Sequence, residues 1–390
     1  MKKVLVPKVR FKGFSEEWKE ERFDNIFFNI QEKNKNRYSI KEYISVASNT
    51  WKKDVNIKNK QTLWNYSVFR VGDIAYEGHT NEAFPFGRFV INRIGTGIIS
   101  NIFTVFRPKA DLSLDFSQYW VNNNLVMIGL LKRSSKSGIM MNSLTLENVN
   151  EEKISLPKYF EQQKIGKLLD QISNLITLEQ SKLNKLKQLK QTLLQKMFPD
   201  GNSKVPRIRF KGFSKEWKEE KLNDIFKVIT GGEPPKNYKN SKHPVGKYKY
   251  PIYSNGQEAN AIWGFSDNYS INTEAITISS IGTIGFPVVR KMFFTPIIRL
   301  KTLLPYNKNM NINFLNLSVS QINFSFNQAG IPSMNSNQLK DNIILISRNF
   351  SEQQKIGDFF SKIDSLISLY QSKLNKLKQI KEALLQKMFV

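Results

Sequence analysis

Two pairs of matching segments constrain this chain more than any other feature. Val6–Phe27 and Val205–Phe226 share 15 of 22 aligned residues, and Glu161–Phe198 and Glu352–Phe389 share 26 of 38, including an unbroken QSKLNKLKQ. The order is head, helix, head, helix. Repeats of 20–50 residues mark solenoids and arrays, whereas a period of about 195 residues marks two domain-sized halves. The stretches between the shared blocks look unrelated. A constant frame around two variable inserts suits a modular reader of two different things.

The 390 residues allow two to three domains, each able to bury a core. Lys+Arg 59 against Asp+Glu 33 leaves a net charge of +26. An excess that large repels itself unless the partner is anionic. Nucleic acid is the first candidate, and an anionic membrane surface is the second. No apolar run approaches the roughly 20 residues of a spanning helix; Val126–Leu131 is among the longest. The opening MKKVLVP has too few apolar residues for a signal peptide. With no cysteine, disulfides, thiolate nucleophiles and Cys-ligated zinc are excluded. These features fit a cytoplasmic protein.

After Pro157, apolar residues at Ile165, Leu168, Ile172 and Leu175, then Leu183, Leu186, Leu189, Leu193 and Met197, recur at steps of three and four, a helical stripe. The phase slips near Leu178–Leu183, like a stutter in a coiled coil. Pro199 and Gly201 stop the helix. The second copy starts on the capping-box pattern Ser351-Glu352-Gln353-Gln354 and carries Ile356, Ile363, Leu366, Leu374, Leu377 and Leu384 on its stripe. Each helix should be about 57 Å long at 1.5 Å per residue. Neither should hide its stripe in a head, so the two stripes most economically bury each other. Acids lie early in each helix (Glu161, Asp170, Glu179; Glu352, Asp358, Asp364) and lysines late (Lys182 to Lys196; Lys373 to Lys387). Antiparallel pairing sets each lysine-rich half against the other's acidic half, so antiparallel pairing is expected.

In each head, Glu16–Phe27 and Lys215–Phe226 read as a short helix. Tyr43–Ala47, Asp73–Tyr76 and Ile98–Phe106 read as strands of the first head, and Ala275–Ser279, Pro287–Arg290 and Phe293–Leu300 as strands of the second. A helix follows near Phe116–Leu131 and Ile312–Phe324. The class is α+β.

Little points to catalysis. The one Pro-Pro pair, Pro234-Pro235, is followed by Lys236 rather than the aromatic of an adenine methyltransferase motif, and no GxxxxGK[ST] loop is present. His79 and His243 are isolated, so neither a triad nor a metal site is expected. Pro199-Asp200 followed by Glu219-x-Lys221 resembles a PD-(D/E)xK nuclease, but Pro199-Asp200-Gly201 reads as a helix-ending linker, whereas that nuclease core places its carboxylates on a sheet. Basic, amide and aromatic residues cluster instead in the variable loops. The DNA-contact candidates are Thr50, Trp51, Lys52, His79, Asn81, Arg88, Arg133 and Lys136 in the first head. In the second they are Lys236, Asn237, Tyr238, Lys239, Asn255, Gln257, Ser280, Arg290 and Lys291. Arg and Lys can pair with guanine and Asn and Gln with adenine, while Lys and Ser hold phosphates.

The openings PKVRFKGFSEEW and PRIRFKGFSKEW, the helix starts Phe160-Glu161-Gln162-Gln163-Lys164-Ile165 and Glu352-Gln353-Gln354-Lys355-Ile356, and both LLQKMF ends resemble the specificity subunit of a type I restriction-modification system over the whole chain. Weaker likenesses are Thr230-Gly231-Gly232, Ile281-Gly282-Thr283-Ile284-Gly285, Asn335 and Leu339. The first head departs from the pattern, with Asn29-Ile30-Gln31 where Thr-Gly-Gly would fall. The resemblance implies target-recognition domains at 1–157 and 201–349, conserved helices at 158–200 and 350–390, and antiparallel packing of those helices. Each domain would read one half of a split, asymmetric sequence in double-stranded DNA. The helices would set the gap and dock two modification subunits, with two restriction subunits outside. The chain itself would do no chemistry; S-adenosylmethionine, ATP and magnesium would belong to partners. Alternatives left open are a specificity subunit for a fused nuclease-methyltransferase, a stand-alone endonuclease, and a helical scaffold that reads no DNA.

Overall fold

The computed structural model describes residues 5–53, 60–139, 141–200, 203–256, 261–328 and 330–390. The chain forms two compact units, Met1–Gln180 with Ser372–Val390, and Ser181–Gln371. The division falls inside both long helices, Tyr159–Met197 and Phe350–Lys387, and so differs from boundaries drawn at the helix ends. Each unit holds one head, the first half of the helix that follows it, and the last half of the other helix.

The two heads share one sheet topology despite their unlike sequences. In the first unit an antiparallel sheet runs in the order Phe27–Ile30, Thr104–Pro108, Ile74–Glu77, Arg88–Ile91. In the second the order is Phe226–Thr230, Lys301–Pro305, Ala275–Ser279, Gly285–Arg290. Phe27 pairs with Pro108 and Phe226 with Pro305, which carries the register of the two edge strands past Phe27. Asn29 therefore aligns with Val228, and Gln31 with Thr230.

Several expected elements change. The opening segment is not one helix. Lys19–Arg22 is a strand paired with Lys153–Leu156, followed by a single helical turn, Phe23–Ile26; Lys218–Lys221, Ile343–Ile346 and Leu222–Ile225 repeat this. The helix-favouring KEER is overridden by pairing with a strand distant in sequence. The run Ile98–Phe106 divides into Gly97–Ile99 and Thr104–Pro108, and Phe293–Leu300 supplies only Thr295–Pro296. The helix near Phe116 is two helices, Leu114–Trp120 and Asn124–Ser134, while the corresponding place in the second head holds the single helix Ile312–Val319.

The shared motifs bolt each head to its helix. Arg10 Nε and Nη2 donate to both carboxylate oxygens of Glu161 at 2.6 and 2.8 Å, and Arg209 does the same to Glu352 at 2.5 and 2.9 Å. Both glutamates are 0% exposed. Such bidentate, charge-assisted pairs are the strong class of hydrogen bond. Gln162 accepts from the Ser113 backbone N–H and donates to the Pro157 carbonyl; Gln353 joins Asn311 to Ser347 in the same way. Ser113 and Asn311 cap the following head helices. Lys164 lies over the Phe14 ring and Lys355 over Phe213, at 5.2 and 5.1 Å. Gly13 and Gly212 turn the chain beneath them at φ of +98° and +97°, where a side chain is strained.

The helix stripes are also not what the apolar residues alone indicate. Ile165, Leu169, Ile172, Ile176, Glu179, Leu183, Leu186, Lys190, Leu193 and Met197 follow an unbroken four-three heptad of buried and half-buried positions. No stutter interrupts it. Glu179, only 2% exposed, occupies a stripe position that polarity had disguised. Leu175 and Leu366, expected on the stripes, are 45% and 44% exposed, one residue away from Ile176 and Ile367, which take their places. Leu168 is half-buried against the first head's core, and Leu186, Leu377 and Leu384 are half-buried stripe positions; Ile165, Ile172, Leu183, Ile356, Ile363 and Leu374 are buried.

Antiparallel pairing holds within each unit. In the first, Lys373 Nζ meets Glu179 at 3.0 Å, and Lys381 lies over the Tyr119 ring beside Asp170. In the second, Lys190 meets Asp364 at 2.5 Å. The helix ends enter head cores, contrary to the expectation that the stripes bury only each other. Phe389 stacks on Phe116 at 5.6 Å and meets Trp18 edge-on at 6.2 Å, while Phe198 stacks on Phe314 and meets Trp217.

A Cβ at Gly166 would lie 2.4 Å from the Phe116 backbone nitrogen and 2.6 Å from the Asp115 carbonyl carbon. Alanine gains about 1 kcal/mol of helix propensity there, but overpacking against backbone costs about 1–3 kcal/mol. Gly166→Ala should therefore lower the thermal midpoint, whereas Gly232→Ala, whose Cβ would meet nothing within 4 Å, should leave it nearly unchanged. Differential scanning fluorimetry of the two variants checks this.

Candidate nucleic-acid interface

The heads project their variable loops from the shared sheet. In the first head, Thr50–Trp51 pairs with Ile44–Ser45, and the indole lies on two glycines: a Cβ at Gly95 or Gly97 would come within 2.8 or 2.9 Å of the ring. Trp51 is nonetheless 39% exposed, a flat ring of the kind on which bases stack. Thr50 is hydrogen-bonded to Ser48, and Lys52 Nζ lies 5.1 Å from the Tyr43 ring centroid. Glu77, buried on the neighbouring strand, takes His79 Nδ1 at 2.7 Å and Arg88 Nε at 3.1 Å. Arg88 Nη2 also donates to the Ala47 carbonyl at 2.6 Å, which joins the Trp51 loop to the His79 loop. The hairpin bearing exposed Lys136 meets the same loop through the Asn142 N–H, which donates to the Gly78 carbonyl. Thr50, Trp51, Lys52, His79, Arg88 and Lys136 thus belong to one connected set of loops. Asn81 Oδ1 accepts from the Phe84 backbone and serves its own turn. Arg133 stands apart, bound through two nitrogens to Glu152 at 2.7 and 2.5 Å.

In the second head, Tyr238–Lys239 is the edge of a second sheet ordered Tyr238–Lys239, Ile262–Ser266, Tyr250–Tyr253, Thr295–Pro296. Tyr238 packs at 4.7 Å on Trp263, a partner not singled out from sequence, and Lys236, Asn237, Lys239 and Lys291 are exposed. Three other candidates face inward. Arg290 is buried, donates to Thr277 Oγ1 and lies 3.9 Å from the Tyr253 ring centroid; desolvation pulls its pKa down. Ser280 is buried and donates to the Arg299 carbonyl, and Asn255 bridges the Ile298 carbonyl and the Ser280 N–H. These side chains hold loops in place. Gln257 lies outside the described residues, as does Gly201.

Much of the arginine charge is consumed internally. Glu32 accepts from Arg70, Arg37 and Arg107, and Asp73 from Arg107 through two nitrogens. The charge left to the loops is mainly lysine, suited to phosphates as a point charge. Of the nuclease-like residues, Asp200 and Glu219 line one cleft of about 410 Å³. Asp200 pairs with Arg207 at 2.6 Å, and Glu219 lies 3.6 Å from Lys204 on the strand Lys218–Lys221. Among the described residues, no group of three or more His, Asp or Glu side chains is placed to hold a metal, and no helix is long and apolar enough to cross a membrane.

A family model described as the type I restriction modification DNA specificity domain matches residues 15–188 and again 214–379. The chain is 34% identical over 143 residues to S.MpnORF507P and 36% identical over 115 residues to S.MpnORF89P, both assigned as type I specificity subunits of Mycoplasma pneumoniae. Those alignments cover 36% and 28% of this chain and 38% and 33% of the relatives, so it spans only about a third of their length. The crystal structure of the type I restriction-modification S subunit from M. genitalium aligns over 99% of both chains at 15% identity, with a TM-score of 0.65. A chain from work on complex assembly and conformational transition of the type I R-M system aligns over 95% of this chain and 97% of its own, at 16% identity and a TM-score of 0.52. At these identities the likeness is one of fold.

Arg70, with Arg37 and Arg107, holds the Glu32 carboxyl down from 4.5 to about 2. A folded-state pKa below the unfolded one stabilises above the unfolded value and is lost as pH falls through the folded one. Glu32→Gln should therefore destabilise the chain at pH 7, and the deficit should shrink between pH about 4.5 and about 2. Urea midpoints of both proteins across that window check it.

Proposed function

Because the chain belongs to the type I restriction-modification DNA specificity family, matched twice along its length, we propose that it is the DNA-reading subunit of such a complex and that each head reads one half of a split, asymmetric target in double-stranded DNA. The observation that carries this is the repetition of one frame under unlike loops. The Arg10–Glu161 and Arg209–Glu352 clamps, the Gln162 and Gln353 latches and the helix-end residues Phe389 and Phe198 recur in units whose loops differ.

A duplicated frame offers equivalent surfaces to two copies of one partner. On this reading two modification subunits dock on the frame and two restriction subunits lie outside them. The chain does no chemistry; S-adenosylmethionine, ATP and magnesium act on the partners. It works in the cytoplasm, on the genome. The loop candidates divide by role. Trp51, Lys52, His79 and Lys136 in the first head, and Lys236, Asn237, Tyr238, Lys239 and Lys291 in the second, face DNA. Thr50, Asn81, Arg88, Asn255, Ser280 and Arg290 shape the loops that carry them.

Co-expression with a modification subunit in a host lacking DNA methylation, followed by mapping of methylated bases, tests the reading. Methyladenine in a two-part motif with a fixed gap is the expected result; no new methylation from a folded, associated pair would sink it. Replacing residues 29–153 with another member's insert should change one half of the motif only. The helices act as a ruler, and their heptad makes that quantitative. Seven residues inserted after Gln180 and seven after Gln371 preserve the stripe and add about 10 Å at 1.5 Å per residue, or about three base pairs at 3.4 Å each. The mapped gap should lengthen by that amount with both half-sites intact.

A further inference from the structure

Ile298 and Arg299 both adopt the left-handed region, at φ of +52° and +58°. For a β-branched residue this is a genuine outlier, and two in succession are costly. Strain of this kind persists only where surrounding structure over-determines it, and it gathers at ligand clamps. Here it is over-determined from four directions. The Ile298 and Arg299 N–H groups donate to the Gly232 and Gly231 carbonyls at 2.8 and 2.9 Å. Asn255 Nδ2 donates to the Ile298 carbonyl, and Ser280 Oγ to that of Arg299 at 2.7 Å.

The turn so held presents side chains that the protein does not use. Ile298 is 46% exposed, and the exposed Arg299 guanidinium has no hydrogen-bond or ion-pair partner among the described residues. The first head's arginines are treated otherwise, since Arg37, Arg70, Arg88, Arg93, Arg107 and Arg133 all meet carboxylates. Two residues on, Lys301 is buried, and its ammonium donates to the hydroxyls of Thr230 and Ser336 at 3.0 and 2.9 Å. No carboxylate pairs with it among the described residues. Burial, and then the charge of Arg299, lower its pKa. A rigid finger thus carries an unspent guanidinium above a second cation that lacks a counter-ion, a place that favours an electron-rich ligand.

We propose that the Ile298–Arg299 turn is the base-reading tip of the second head and that the Arg299 fork pairs with the O6 and N7 acceptors of a guanine in the half-site that this head reads. The proposal rests on the DNA-reading function above and adds to it one specificity-determining residue, with Asn255 and Ser280 as its positioning residues. A guanidinium suits this role because its two parallel N–H donors match the guanine edge.

The test is enrichment of the full chain's targets from a pool of randomised DNA duplexes, with wild type, Arg299→Gly and Arg299→Lys in parallel. Wild type should enrich a split motif. Arg299→Gly should retain that motif except at one guanine of one half, where discrimination falls roughly tenfold to a hundredfold. Its thermal midpoint should equal or exceed that of wild type, because glycine adopts positive φ without strain. Arg299→Lys keeps the charge but not the planar fork, so the salt dependence of binding should persist while the guanine preference weakens. An unchanged motif in Arg299→Gly, uniform weakening across all sequences (a phosphate contact), or loss of both halves overturns the proposal. A wild-type chain that enriches no split motif overturns the two-reader function itself, and the role of the turn with it.

Discussion

The structure depends on a buried guanidinium–carboxylate clamp, made once in each unit. Glu161 and Glu352 begin the long helices, and each is wholly buried against an arginine from the opening segment of its head. Removing one partner of such a pair would strand the other in a low-dielectric interior, at a cost of about 3–5 kcal/mol. The clamp does more than stabilise. Its two parallel hydrogen bonds fix direction as well as distance, so the head meets the helix in one orientation. The Gln162 and Gln353 latches and the close approach at Gly166 and Gly357 complete the joint. That these residues recur in both copies follows from their work at the joint.

Given that joint, the loops are free to differ. The two heads have the same sheet order, yet they dispose of charge in unlike ways. The first surrounds Glu32 and Asp73 with arginines and leaves lysines and Trp51 exposed. The second buries Arg290 and Lys301 and stiffens the Ile298–Arg299 turn through Asn255, Ser280 and the Gly231–Gly232 backbone. The net charge of +26 already counts every such ion pair as zero, so pairing decides which cations face a partner rather than how much excess charge there is. Much of the arginine is structural, and the surface charge is carried largely by lysine.

Legibility in the sequence followed the range of the interactions. The duplication, the long helices, their antiparallel pairing and the α+β heads were readable because identity, heptad spacing and charge order are local patterns. The failures have specific causes. Glu179 is polar yet buried on the stripe, so apolar spacing alone skips it, shows a stutter and puts Leu175 and Leu366 on the wrong face. KEER at Lys19–Arg22 has helical propensity but pairs with Lys153–Leu156, more than a hundred residues on. Among the loop candidates, sequence could not separate Arg290, held over Tyr253, from Lys291 beside it, which faces solvent. Arg299 carried no signal at all, since nothing in composition or spacing reports a positive φ.

By itself the sequence determined that there are two halves on one frame, that two long helices carry charges ordered for antiparallel pairing, and that the chain as a whole has a large cationic excess. These follow from repetition, periodicity and net charge, which are sums over residues and do not depend on where the chain turns. Only the tertiary structure decided that each helix end completes a head core, as Phe389 and Phe198 do, and which cations are neutralised. It also decided which backbone positions are held under strain. Each of those is a property of groups brought together from distant parts of the chain. A side chain's charge is written in the sequence, but whether a carboxylate stands 3 Å away is settled only when the chain has folded.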